Sequence, residues 1–161
     1  MSKSKRRDIP VFATPLIETH CHLDYLEAAE LQHTLVRARQ VGVERIVTIA
    51  VSAANLDNVL ALTRAAPDIW GTQGIHPHEA EGFDSAVEAR IRAQAGDPRI
   101  VAIGEIGLDY YYDHADRAVQ RKVFAAQRAL AVELDLPIVV HTREADEDTR
   151  AILAEYAPHL Q

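Results

Sequence analysis

Short apolar, β-branched runs recur along the chain at Leu16–Thr19, Arg45–Val51, Ile69–Ile75, Ile100–Ile106 and Pro137–His141. Each is nearly continuous in apolar character, the pattern of a strand buried on both faces. Stretches with helical spacing lie between them. Ala28, Leu31, Leu35 and Ala38 mark a first helix, and Gly42 is placed to end it. Asn55 or Asp57 is positioned to cap a second helix running through Ala65. Ser85 to Glu88 has the form of a capping box for a third. Val119, Val123, Ala126, Leu130 and Leu134 draw a long fourth stripe. A fifth helix is expected from about Glu144 to Tyr156, before Pro158.

The predicted order is strand then helix, repeated five times at roughly 30 residues per unit. Such an alternation implies a parallel sheet with helices packed on it. Eight units at that pitch would need about 250 residues, the usual size of a (β/α)8 barrel. The expected fold class is therefore α/β, a TIM-type barrel truncated to about five βα units. Residues 1–15 are expected as a disordered basic tail and 16–161 as the partial barrel domain. An open doubly wound sheet is the alternative, since five strands can complete one. Such sheets often carry a glycine-rich phosphate loop after the first strand. Here that strand runs into Glu18-Thr-His-Cys-His22, without glycine.

Composition narrows the function classes. Hydrophobic residues make up 48% and charged residues 25%, which disfavours disorder. No apolar run is long enough to cross a bilayer, and no apolar segment of a secretory signal follows the basic start, so no membrane partner is expected. A single cysteine, Cys21, rules out an internal disulfide and suits a cytoplasmic location. The net charge of −7 argues against gripping nucleic acid by a broad basic face. It leaves room for an enzyme that holds one phosphate through metals and a few arginines.

The candidate chemistry sits at the ends of the apolar runs. His20 and His22 close the first run two residues apart, so in a strand both rings share one face and Cys21 takes the other. Paired imidazoles on an inward face suit a divalent metal, with a pair of surface histidines as the plain alternative. Glu105, set between isoleucines and glycines in Ile103–Gly107, is costly to bury unless paired or bound to a cation. His76 ends the third run and His141 the fifth. Metal-competent residues thus recur at the carboxyl ends of strands one, three, four and five, where parallel barrels place their active sites.

Four stretches together resemble the TatD deoxyribonuclease family, in its order and spacing. They are Glu18-Thr-His-Cys-His-Leu-Asp24, Gly74-Ile-His-Pro-His78, Ile103-Gly-Glu-Ile-Gly-Leu-Asp-Tyr-Tyr-Tyr112 and Pro137-Ile-Val-Val-His-Thr-Arg143. One departure is Glu18, where the family usually has aspartate. The resemblance implies a hydrolase that cleaves DNA phosphodiester bonds with two divalent ions, magnesium, manganese or zinc. It implies that His20 and His22 hold one metal, that Glu105 bridges both as the catalytic carboxylate, and that His141 holds the second. His76 would stand behind the ligands or near the phosphate rather than hold a metal, and Asp109, Tyr110 and Arg143 would shape the substrate mouth, Arg143 by pairing with a phosphate oxygen. Aromatic packing under the helices is the alternative for Tyr110–Tyr112, and a helix-start salt bridge for Arg143. The family's remaining ligands, a histidine on strand six and an aspartate on strand eight, would lie beyond Gln161. His159 falls before the expected sixth strand and is not counted as a ligand.

Four of the expected ligands are therefore present, and the 161-residue chain is expected to hydrolyse DNA poorly or not at all. Unclosed strands predict self-association, while no obligate protein partner is expected. Rival readings remain open. Amidohydrolases also begin with His-x-His, but many bridge their metals with a modified lysine where this chain has Glu105. Phosphoesterases of the polymerase-and-histidinol-phosphatase type lack the Gly-Glu-x-Gly-Leu-Asp-Tyr stretch. A hydrolase of ester-linked tRNA adducts would carry a similar metal site, and an inactive barrel fragment is the non-enzymatic reading.

Overall fold

A computed structural model describes residues 9–10 and 12–155. The expectations for residues 1–8 and 11 of the tail, and those on Tyr156, Pro158 and His159, fall outside the described residues. Five strands alternate with five α-helices: β1 Leu16–Cys21, α1 Ala28–Gln40, β2 Val43–Thr48, α2 Leu56–Ala65, β3 Ile69–Gln73, α3 Ser85–Gln94, β4 Ile100–Asp109, α4 Arg117–Leu134, β5 Ile138–Arg143 and α5 Asp146–Ala154. Two short 3₁₀ segments, Leu23–Tyr25 and Pro77–Gly82, follow β1 and β3. Every neighbouring strand pair is parallel, and the order in the sheet is β1-β2-β3-β4-β5. A doubly wound sheet reverses its strand order at a switch point, whereas this sheet never reverses. The architecture is half of a (β/α)8 barrel.

The helix ends follow local chemistry. Gly42 adopts a φ of +93° just past α1, a conformation that only glycine takes without strain. Asp84, not Ser85, caps α3, its carboxylate accepting from the amides of Ala86 and Val87. Asp116 caps α4 in the same way. Asn55 stands at the start of α2 without capping it. Its side-chain oxygen instead accepts from Val51 and Ser52, and its amide donates to Asp24 at 2.9 Å.

The main core joins Leu56, Val59, Ile91, Ile103, Phe124 and Leu130. Phe124 has no exposed surface, and burying a side chain of that size contributes about 2–3 kcal/mol. A second cluster of Leu23, Leu35, Ile46 and Ile69 packs α1 onto the sheet. β3 and β4 are buried nearly throughout, as their apolar runs predicted. β1 is not: Ile17 is 56% exposed, because among the described residues no strand pairs with the outer side of β1.

Candidate metal centre

All five strands run in one direction, so their carboxyl ends meet at one rim. β1 extends through His20, and the ring of His22 follows just beyond it, 5.5 Å from that of His20 between centroids. Cys21 points the other way into the α1 cluster, where its thiol donates to the carbonyl of Val47 at 3.6 Å. Burial, aided by Glu18 and Asp24, pushes that thiol up to about 12. The strand alternation expected of His-Cys-His is thus realised. Glu18 accepts from the backbone amide of His20 at 2.9 Å, fixing the strand tip.

Glu105 is the hub of the rim. One carboxylate oxygen lies 3.3 Å from Nε2 of His20, and the other 3.2 Å from Nδ1 of His141. His20, His22 and Glu105 bring ligand atoms within 4.8 Å of one another, and so do His76, Glu105 and His141. The two groups share Glu105. Burial works to raise the Glu105 pKa, but the hydrogen bond from His141 and the nearby imidazoles prevail and hold it below the usual glutamate range. The bond to Glu105 raises His141 against its burial, with help from Asp109. Burial, with His141 beside it, pushes His76 down to about 4, so that ring is neutral at pH 7.

Each imidazole is oriented by a neighbour. Nδ1 of His22 lies 3.2 Å from the carbonyl of Ile49, which can only accept, so the proton sits there and Nε2 keeps a free lone pair. Nε2 of His141 lies 3.0 Å from Asp109, and Nε2 of His78 lies 2.9 Å from the same oxygen. The other oxygen of Asp109 accepts from the amides of Tyr111 and Tyr112. Asp109 was expected at the substrate mouth, yet its side chain is 0% exposed and lies beneath the histidines. Burial opposes its charge, and these four hydrogen bonds outweigh burial and keep it ionised well below the ordinary aspartate value.

Tyr110 also turns away from the rim. Its hydroxyl donates to Asp148 at 2.5 Å and accepts from Arg121 at 3.1 Å, tying β4 to α4 and α5. Arg143 is exposed at the end of β5, its guanidinium over the rings of Tyr111 at 4.0 Å and Tyr112 at 4.6 Å. His76 reaches the centre directly, its ring 4.3 Å from that of His141.

Backbone support comes from places the sequence reading passed over. Gln120 exchanges hydrogen bonds with the backbone of Asp109, and Gln127 does the same with Ile75. Both amides are fully buried, and each holds a strand-end backbone where ladder pairing stops. Their spacing of seven, on the buried stripe of α4, was a readable signal. Gly107 has a φ of +144°, and a Cβ there would run into the carbonyl of His141, so the second glycine of Gly-Glu-x-Gly lets β4 and β5 close up at the site.

The donor set fits divalent ions. Neutral imidazoles with a carboxylate suit zinc and manganese, and ligand atoms a little over 3 Å apart can share an ion about 2.1 Å from each. A recess of about 280 Å³ opens beside these groups, lined by His22, Tyr25, Val51, His76, His78 and Glu105 among others.

Comparisons with known proteins converge on one family. Residues 17–160 match the family described as TatD related DNase. The 3'-5' ssDNA/RNA exonuclease TatD of Erwinia tasmaniensis is 38% identical over 135 residues, which cover 83% of this chain and 52% of that protein. The uncharacterized metal-dependent hydrolase YabD of Bacillus subtilis is 35% identical, over 87% of this chain and 55% of its own length. Among solved structures, the TatD homolog YJJV of Escherichia coli K12 superposes with a TM-score of 0.81 at 30% identity, covering 87% of this chain and 55% of that one. The chain therefore spans about half the length of the curated relatives it matches.

Proposed function

Because the chain belongs to the TatD related DNase family, we propose that its strand-tip cluster holds two divalent cations and serves the hydrolysis of DNA phosphodiester bonds. The observation that carries this reading is the sharing of Glu105. One oxygen faces His20 and the other His141, and both ligand groups contain it. The imidazoles around it already favour its charged form over burial, and that is the form a cation binds. The names of the relatives, an exonuclease and a metal-dependent hydrolase, support the same chemistry.

His20, His22 and Glu105 would hold one ion, and Glu105 with His141 the other. Bound together, two such ions neutralise charge on a phosphoryl oxygen and make a water acidic enough to act as nucleophile. The residues do the rest. The Ile49 carbonyl keeps the proton of His22 on Nδ1. Asp109 sets the His141 ring through Nε2, and His78 steadies Asp109. His76, neutral and lining the recess, accepts from the His78 amide at Nδ1 and can donate one hydrogen bond from Nε2 to a phosphate oxygen. Arg143 brings a cation to the rim, stacked on Tyr111 and Tyr112.

The test is cleavage of a labelled single-stranded oligonucleotide with and without chelator, followed by metal add-back. Expected is slow hydrolysis at most, lost with chelator, regained with manganese or zinc, and absent in Glu105→Gln. Cleavage that survives both the chelator and the substitution would refute the proposal.

A further inference from the structure

We infer that Tyr25 is a stacking platform that seats an unpaired nucleobase next to the Glu105 centre. The inference rests on the hydrolase reading above and adds to it the side chain that meets the base. Tyr25 is 68% exposed, yet it is firmly placed. Its amide donates to the carbonyl of His22 at 3.3 Å, and the amide of Leu26 closes the same turn on Leu23 at 3.2 Å. Leu23 anchors the turn in the α1 cluster, and Asp24 is held by Asn55. The Tyr25 ring lies nearly parallel to that of His22, 5.1 Å away at 15°. One ring face is thus backed by a proposed ligand, while the ring as a whole stays open to solvent on the wall of the recess that contains Glu105 and His76.

His78, which also lines the recess, leads to a further aromatic group outside it. The ring of His78 meets Tyr112 edge-on at 5.6 Å, and Tyr112 stacks on His114 at 11°. Arg143 covers the faces of Tyr111 and Tyr112, which leaves Tyr25 as the ring better placed to take a base. Bases inside a duplex have both faces covered by their neighbours, whereas an unpaired base can turn a face to Tyr25. Charge sharpens the point. With a net charge of −7 the chain gains little from overall attraction to a phosphate backbone, and stacking, which any base can provide, adds a grip that does not depend on charge.

The experiment compares binding of a phosphorothioate-linked thymidine pentamer with its abasic counterpart, in manganese, by fluorescence anisotropy. Wild type, Tyr25→Phe and Tyr25→Leu are each measured, with thermal melts to show that all three are folded. Wild type and Tyr25→Phe are expected to prefer the thymidine strand by about 5- to 100-fold, and Tyr25→Leu to bind both strands alike. Equal binding of both strands by wild type, or a preference that survives in Tyr25→Leu, overturns the stacking role and leaves the hydrolase reading standing. Binding of neither strand by wild type removes both.

Discussion

The two halves of the rim are built differently. On the β1 side, His20 has a 41% exposed side chain, and His22 is oriented by one backbone carbonyl. On the β4–β5 side, His141 sits between Glu105 and Asp109, and Asp109 is held by two backbone amides and His78. Beneath that, Gln120 and Gln127 fasten the strand ends to α4. One half is a pair of imidazoles at the tip of β1, proposed as ligands. The other is a buried polar network in which each group depends on the next. The β4–β5 side should therefore couple ligand geometry to the stability of the fold, whereas on the β1 side a ligand can be removed with little effect on folding.

The sharpest way to break this contrast is Asp109→Ala. It strips two imidazoles and two amides of a buried partner, and a loss of about 3–5 kcal/mol is expected in urea unfolding. Gln127→Leu leaves the Ile75 amide and carbonyl unpaired in the interior and should cost about 1–3 kcal/mol by the same measurement. Removing His20, a proposed ligand of the β1 side, should behave oppositely. His20→Ala is expected to change stability by no more than about 0.5 kcal/mol, while calorimetric titration shows a clear loss of metal affinity. A large destabilisation by His20→Ala would erase the distinction between the two halves.

Another small effect is expected far from both. Arg39 donates through two nitrogens to Asp68, with its side chain 44% exposed, and Asp68→Asn should cost less than about 1 kcal/mol. The hydrogen bond from Arg39 lowers the Asp68 pKa below its ordinary 3.8. A depressed carboxyl stabilises the fold above its unfolded pKa, so the difference between wild type and Asp68→Asn should be full near neutrality. It should fade as pH falls through the folded value, and unfolding at a series of acidic pH values checks this.

How much of this was legible in the sequence varied with the kind of interaction. Period and residue type were enough for the strand–helix alternation, because buried parallel strands and amphipathic helices write their burial into local composition. His20, His22, Glu105, His76 and His141 could be found because strand ends in a parallel barrel share one rim. Asp109 and Tyr110 were different. They are adjacent in sequence, but one faces the interior beneath the histidines and the other meets α4 and α5. Neither destination is encoded within a few residues of either. His78 lay inside a recognised motif without a role, since its partner Asp109 is 31 residues away. Tyr25 drew no notice because a lone exposed aromatic is ordinary until its neighbours are known.

The central claim is that one carboxylate serves two metal sites. It is tested most directly by counting the ions bound per chain in calorimetric titration with manganese or zinc, for wild type, His22→Ala, His141→Ala and Glu105→Gln. Two ions are predicted for wild type, one for each histidine variant, and affinity reduced by more than about 100-fold at both sites for Glu105→Gln. Glu105→Gln retaining one site at wild-type affinity would contradict the shared centre.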